Sequence, residues 1–449
     1  MRSDRALASS SSQIGDPMKQ SMNRTTLVAL LLLFPTLANA EDWPRFRGPT
    51  GQGLSSEHHL PTQWSATDNV AWKTPIPGEG WSSPVVQGDR VFLTAARDKN
   101  KSCHVLCLDR DTGKILWDKE VFQQGTYTIR PKNSFATPTP IADDRRVYAV
   151  FGEGGIAALD FDGKIDWTNQ DYKFHSVHGL GASPIRYKGL LIMAYDGSAD
   201  PRTGQSETVG WQTPWDGAFI VALNADNGKE VWKAKRGPSR LAHTTPLIIR
   251  VGDHDLLASS AGDVIQGFNP DTGERVWTVR SLGEGVVPSP VYAAGLVITF
   301  SGFGTKDIKS AYRAVRPDGQ GDVTKTQLVW EQTKVPPFIP TPVPVGDHLY
   351  SVTDKGVAAC LEAKTGNVLW EERLEKAFSA SPVYADGRVY FLAESGETTV
   401  IEPSPEQFKL VAKSTIQEPC QASIAVAHGH LFIRSKQNLW CIGPKAKSE

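Results

Sequence analysis

Residues 360–393 read CLEAKTGNVLWEERLEKAFSASPVYADGRVYFLA. The segment begins as a strand, breaks at Lys364-Thr365-Gly366, and returns as a second strand ending in Trp370. Ser381-Pro382 then opens an apolar stretch, a turn at Asp386-Gly387 and a further strand. Apolar and polar residues alternate in these strands, as in half-buried β-structure. Thr-Gly and Asp-Gly supply the turns, with side chains that bond nearby backbone and a glycine free to take positive φ.

The same unit recurs along the chain. Its Trp half appears as CLDRDTGKILW ending at Trp117, ALDFDGKIDW at Trp167, ALNADNGKEVW at Trp232 and GFNPDTGERVW at Trp277. Trp330 closes a longer version, and the copy near Leu410 has lost its Trp. Its other half appears as Ser83-Pro84, Thr137-Pro138, Ser183-Pro184, Thr245-Pro246, Ser289-Pro290, Thr341-Pro342 and Ser381-Pro382, with Ser423-Ile424 as a degenerate eighth copy. Units follow one another at about 40 to 65 residues, the range of four-stranded propeller blades. The last copy lacks a Trp strand, and a spare one, NVAWKTPIP around Trp72, precedes the first Ser-Pro. Pairing the two closes a ring and removes open sheet edges. The sequence therefore predicts an all-β, eight-bladed β-propeller over residues 69–443, closed by an N-terminal strand. A 41–68 extension precedes it and a 444–449 tail follows. Trp72, Trp117, Trp167, Trp232, Trp277, Trp330 and Trp370 are expected to pack between blades.

The chain of 449 residues has 40 Gly, 30 Pro and 13 Trp with a formal net charge of -1. That balance excludes the basic face of a dedicated nucleic-acid binder. Residues 1–40 read as a signal peptide: one Arg after Met22, an apolar stretch from Leu27 to Leu37, and Ala38-Asn39-Ala40 before Glu41. Met22 is the expected start, with cleavage after Ala40 and export to the periplasm or extracellular envelope. The apolar stretch is too short for a transmembrane helix, and no Cys follows the cleavage site to carry a lipid anchor. We expect a monomer. Cys107, Cys360 and Cys441 share one position in three repeats and read as buried thiols, while a Cys420–Cys441 bridge stays open.

The Ala-x-Asp-x-x-Thr-Gly-x-x-x-Trp pattern resembles the tryptophan-docking motif of quinoprotein alcohol dehydrogenases. The opening DWPRFRGPTGQG and NVAWKTPIPGEGWSSPVVQGDRVFLT look like exported PQQ-like (pyrroloquinoline quinone repeat) propellers of bacteria. One relative by resemblance is the propeller subunit of the outer-membrane β-barrel assembly machinery, which implies a non-enzymatic scaffold binding envelope proteins. The dehydrogenases imply PQQ on the axis under adjacent cysteines, calcium held by Glu and Asn, and an Asp base. This chain has no Cys-Cys pair and no Glu, Asn and Asp set to carry over. The reading favours the scaffold, with no catalytic residue assigned. A PQQ- and calcium-dependent dehydrogenase and a carbohydrate-binding or sugar-processing propeller are the alternatives.

Any site should lie where segments entering the innermost strands converge. Arg130, Lys132, Asn133, His175, His178, Arg240, His243 and Glu284 are the polar candidates, able together to attract an anion such as a quinone carboxylate. The two close histidines have no Cys or carboxylate at ligand spacing, so no metal site is assigned. The insertion from Asp196 to Gly217 carries Trp211 and Trp215 as a candidate partner surface. A second insertion, Gly302 to Gln327, offers Lys306, Lys309 and Arg313 and no clear chemistry.

Overall fold

A computed structural model describes residues 41–445 except 282, 284, 302–309 and 375. The expected signal peptide, with Met22 and the Ala40 cleavage point, lies outside the described residues, as do Lys306 and Lys309 of the second insertion. No helix among the described residues is long and apolar enough to cross a membrane.

Eight antiparallel sheets follow one another along the chain, seven of four strands and one carrying a fifth. Blades 1 to 7 are built in sequence order from residues 85–123, 141–169, 185–235, 247–280, 291–332, 343–373 and 383–415. Blade 8 joins both ends of the propeller. Its strands Ala425–Ala427, His430–Arg434 and Asn438–Ile442 are completed by Val70–Pro75, which pairs antiparallel with Asn438–Ile442. The exchange of strands foreseen from Trp72 is therefore the ring closure observed.

In six of the eight blades the Trp docks on the turn of the next. The indole N–H of Trp72 donates to the Arg110 carbonyl at 2.8 Å, Trp117 to Phe161, Trp167 to Ala225, and Trp370 to Ser404. The turn glycine lies flat against that ring. At Gly366, φ is +75° and an added Cβ would stand 2.5 Å from Trp330 Cε3, so both backbone and space demand glycine. The Asp-x-x-Thr turn works as read, with Thr112 N–H and Oγ1 both donating to Asp109.

The ring also sets the residue across the strand. Opposite each Trp stands Cys107, Ala158, Ala222, Gly267, Ala314, Cys360 or Cys441. A small side chain is needed because the indole leans over it. Blade 7 has the pair inverted: Ala412 replaces the Trp and Val400 fills the space opposite. This explains the shared cysteine position. All five cysteines are buried free thiols, so no Cys420–Cys441 bridge forms. Burial pushes the Cys360 thiol up to about 11 and Cys107 and Cys420 up to about 12, which leaves them unreactive at neutral pH.

One detail differs from expectation. Arg313 does not project from an insertion; it sits in the strand Ala311–Val315, buried, paired with Glu331 at 2.8 Å. The remainder of that insertion contributes Gly321–Asp322, which pairs in parallel with the outer strand of blade 4. The extension before residue 69 is also part of the packed body. Trp43 is fully buried, and Leu60 and Trp64 nearly so.

Candidate functional site

The Ser/Thr-Pro residues form a closed wheel around the axis. Ser83 N–H donates to Thr139 Oγ1 at 2.9 Å, Thr139 to Ser183, Ser183 to Thr245 and Thr245 to Ser289. Ser289 donates to Thr341, Thr341 to Ser381, Ser381 to Ser423, and Ser423 back to Ser83 at 3.1 Å. Every hydroxyl oxygen accepts from one neighbouring blade, and every blade is thereby pinned to the next. In blade 2 the wheel residue is Thr139. Thr137, the one expected from the repeat, sits one turn earlier and bonds Ser134 instead. The doubled TPTP of residues 137–140 offered both registers, and the strand starting at Ile141 selects the second.

A cavity of about 620 Å³ occupies the axis above this wheel. Its far end is crossed by the N-terminal extension: Trp43 pairs with Val86 and Leu54 with Tyr384, each beyond the wheel residue of its strand. From there Phe46 reaches the cavity wall. Beside it Arg47, 1% exposed, donates to the carbonyls of Thr341, Pro342 and Gln52. Arg434, 2% exposed, donates to Ser82 carbonyl and hydroxyl oxygens. Burial alone holds both guanidiniums down to about 9, with no acid acting on either. Both are charged at neutral pH.

Of the residues foreseen around the axis, Arg130, Lys132, Asn133, His178 and His243 line the cavity. Lys132 is paired with Glu394 at 2.9 Å, and Asn133 donates to the His178 carbonyl. His175 does not reach the cavity lining; its ring packs tilted against Tyr127, with 4.5 Å between centroids. Arg240 lies 3.7 Å from Asp263 and also off the lining. Glu284 lies outside the described residues. Sequence reasoning passed over Trp81, Phe338 and the wheel hydroxyls, which also face this space. The wheel could have been found: a Ser or Thr at one fixed position in every repeat is not needed for a turn.

The insertion 196–217 folds over the mouth. Asp196 and Arg236 form a buried ion pair at 2.6 Å at its root. Trp215 exchanges backbone hydrogen bonds with Ser239, both at 3.0 Å, and its ring packs on Gly210 and Gly217. Trp211 lines the cavity, with its ring 5.8 Å from His178 and edge-on to it.

His243 is 6% exposed, and neither of its ring nitrogens has a hydrogen-bond partner. Burial first, and then the nearby His178, push it from 6.5 down to about 3. His178 is lowered as well, by burial and by Arg130. A depressed histidine stabilises the fold while both states are neutral, above the unfolded value near 6.5. That stability is lost as pH falls toward 3, because the unfolded chain takes up a proton that the folded chain refuses. Unfolding free energy measured between about pH 6 and pH 4 should therefore fall more steeply in the wild type than in His243→Leu. The difference should approach about 1.4 kcal/mol per pH unit. Equal slopes would show that His243 takes up a proton in the folded state.

A family model described as outer membrane protein assembly factor BamB matches residues 62–215, 213–318 and 322–407. The BamB of Shewanella oneidensis is 28% identical over 180 residues, 35% of this chain and 40% of that protein. The matched stretch thus spans less than half of the relative's length. Among solved structures, BamB from Moraxella catarrhalis superposes with a TM-score of 0.56 at 14% identity, covering 85% of this chain and 98% of that one. A europium-containing methanol dehydrogenase gives 0.62 at 12% identity, covering 88% and 89%. At such identities the two superpositions establish a shared fold.

Proposed function

The chain belongs to the family of outer membrane protein assembly factor BamB, and from that premise we propose a non-enzymatic scaffold, exported to the bacterial periplasm or envelope, that docks other envelope proteins. The outer rim of the propeller carries this reading. Leu328 and Val329 in blade 5, Leu369 in blade 6, and Leu410 and Val411 in blade 7 are 39–52% exposed. They lie on Leu328–Gln332, Val368–Arg373 and Lys409–Thr415, the outermost strands of three consecutive blades. Large apolar side chains on unpaired sheet edges suit a protein partner, which can both cover them and bond the free backbone. The outer strand of blade 4, by contrast, is already paired with Gly321–Asp322.

The dehydrogenase alternative meets a difficulty in the donor set. Calcium takes oxygen ligands, carboxylates above all. Among the described residues the axial cavity is lined by no Asp or Glu, and no group of three or more His, Cys, Asp or Glu could hold a metal. That donor set speaks against calcium at the axis and supports the scaffold reading.

The rim is tested by a photo-reactive residue in place of Leu369 in the source bacterium. We expect a cross-linked adduct of discrete mass, reduced about fivefold or more by Leu410→Glu. An exposed substitution of this kind should leave stability within about 0.5 kcal/mol. The same probe at Val231, exposed on blade 3, is the control. An adduct that forms equally from Val231, or that ignores Leu410→Glu, would remove the rim from the account.

A further inference from the structure

We propose that Glu57 is the receptor for the α-ammonium group that cleavage after Ala40 creates on Glu41, so that removal of the leader locks the seam between blades 8 and 1. This rests on the export proposed above, which brings Ala38-Asn39-Ala40 to a leader-cleaving peptidase.

Glu57 is 8% exposed, and its two carboxylate oxygens meet backbone N–H groups. Oε1 accepts from Glu41, and Oε2 accepts from Gly429 at 2.7 Å. No Lys, Arg or His among the described residues pairs with it: His58, next to it in the chain, lies 3.6 Å from Asp386, and His428, next to Gly429, lies 2.9 Å from Asp42. A carboxylate this deep is costly without a counter-charge, and neutral donors offset only part of that cost. One of its two partners is the nitrogen that hydrolysis of the Ala40–Glu41 bond frees. Water adds across that bond, its hydroxyl going to the Ala40 carbonyl carbon and its hydrogen to the Glu41 nitrogen. The new amine takes up a proton at neutral pH, since α-amines have pKa values of about 7.7–8.0. A neutral N–H facing Glu57 thus becomes a full positive charge, and charge-assisted hydrogen bonds are roughly twice as strong as neutral ones. The carboxylate of Glu41 itself is engaged elsewhere, accepting from Ser55 Oγ and the Ser56 N–H, both at 2.8 Å.

The amine acts where the propeller closes. Gly429 stands in the turn between Ala425–Ala427 and His430–Arg434 of blade 8. Asp42, directly after Glu41, bonds His428 of that turn and accepts from Gln87 Nε2 and the Gly88 N–H of blade 1, at 2.8 and 2.9 Å. Arg110 of blade 1 crosses the same gap, donating to the Gly88 carbonyl at 2.8 Å and lying 3.0 Å from His428 Nδ1. Glu41 and Asp42 therefore span the two blades that meet at the terminal strand Val70–Pro75. An ion pair at Glu57 tightens that closure from a second point, and the ring reaches its full stability only after the leader is gone.

Mass spectrometry of the native protein from the source bacterium should find Glu41 as the first residue. A native chain beginning at another residue would overturn the proposal, and one still carrying residues 22–40 would overturn the export reading as well. Scanning calorimetry then compares residues 41–449, released from a carrier so that Glu41 is first, with the same chain preceded by Asn39-Ala40. The form beginning at Glu41 should melt about 3 °C or more above the other. Nα-acetylation, which keeps the N–H and removes the charge, should abolish that advantage. Glu57→Gln in both forms should shrink the gap below about 1 °C, because the amine then faces no charge. Equal midpoints for the two unmodified forms, or no effect of acetylation, would overturn the proposal and leave the export reading standing. A gap that survives Glu57→Gln would overturn it too, by placing the partner of the amine elsewhere.

Discussion

Removal of residues 41–78 is expected to lower the thermal midpoint by more than about 10 °C or to prevent folding altogether. The truncation strips Val70–Pro75 from blade 8, leaves the backbone of Asn438–Ile442 unpaired on one side, and opens the ring. It also deletes Trp43, Leu60 and Trp64, all buried among residues of blades 1, 7 and 8. Large apolar side chains of this kind contribute about 2–5 kcal/mol each, and each kcal/mol shifts the midpoint by about 2 °C or more in a domain of a few hundred residues. Arg47 goes too, and with it the hydrogen bonds to the Thr341, Pro342 and Pro382 carbonyls that tie the extension to the wheel strands. Scanning calorimetry of the truncated and intact proteins measures the effect. An unchanged midpoint would mean that the ring is held by the inner wheel alone and that the terminal strand is dispensable.

Trp277→Ala is expected to cost about 3–5 kcal/mol in urea unfolding. Trp277 is 1% exposed and packs with Val297, Val315 and Val323 of the neighbouring blade. Its cross-strand partner is Gly267, where an added Cβ would lie 2.4 Å from the indole, so nothing beside it can expand into the space left. Unlike the other docking residues described, its indole N–H has no partner, because the Gly321–Asp322 insertion replaces the usual turn. Trp277→Phe should therefore keep most of the stability, since it removes an unsatisfied donor along with part of the ring. Trp72→Ala, at a half-buried site, should cost less than Trp277→Ala. A loss below about 1 kcal/mol for Trp277→Ala would contradict the packing role.

The repeat made the architecture readable from sequence because blade geometry is local. Strand, Asp-x-x-Thr-Gly turn and Trp lie within a dozen residues, and each residue's role is set by neighbours in the same or the adjacent blade. Ring closure was legible for a related reason: Trp72 and the Trp-less last copy are complementary deficits. The wheel went unread, and even the Ser/Thr-Pro register was half read, since TPTP at residues 137–140 permits two registers and only the strand start resolves them. The site was harder. Arg130, Lys132, Asn133, His178 and His243 could be placed near the axis by their position before each innermost strand. His175 and Arg240 have the same position but turn to Tyr127 and Asp263, and sequence order does not encode that rotation. Arg47 was not singled out, and only the fold shows that it ends in the interior.

The measurement that bears most directly on the scaffold reading is dye-linked alcohol oxidation by the purified protein supplied with PQQ and calcium. We expect no rate above the protein-free blank, even if PQQ, itself a carboxylate, enters the axial cavity. A saturable, calcium-dependent rate would contradict the scaffold reading and make this propeller an enzyme.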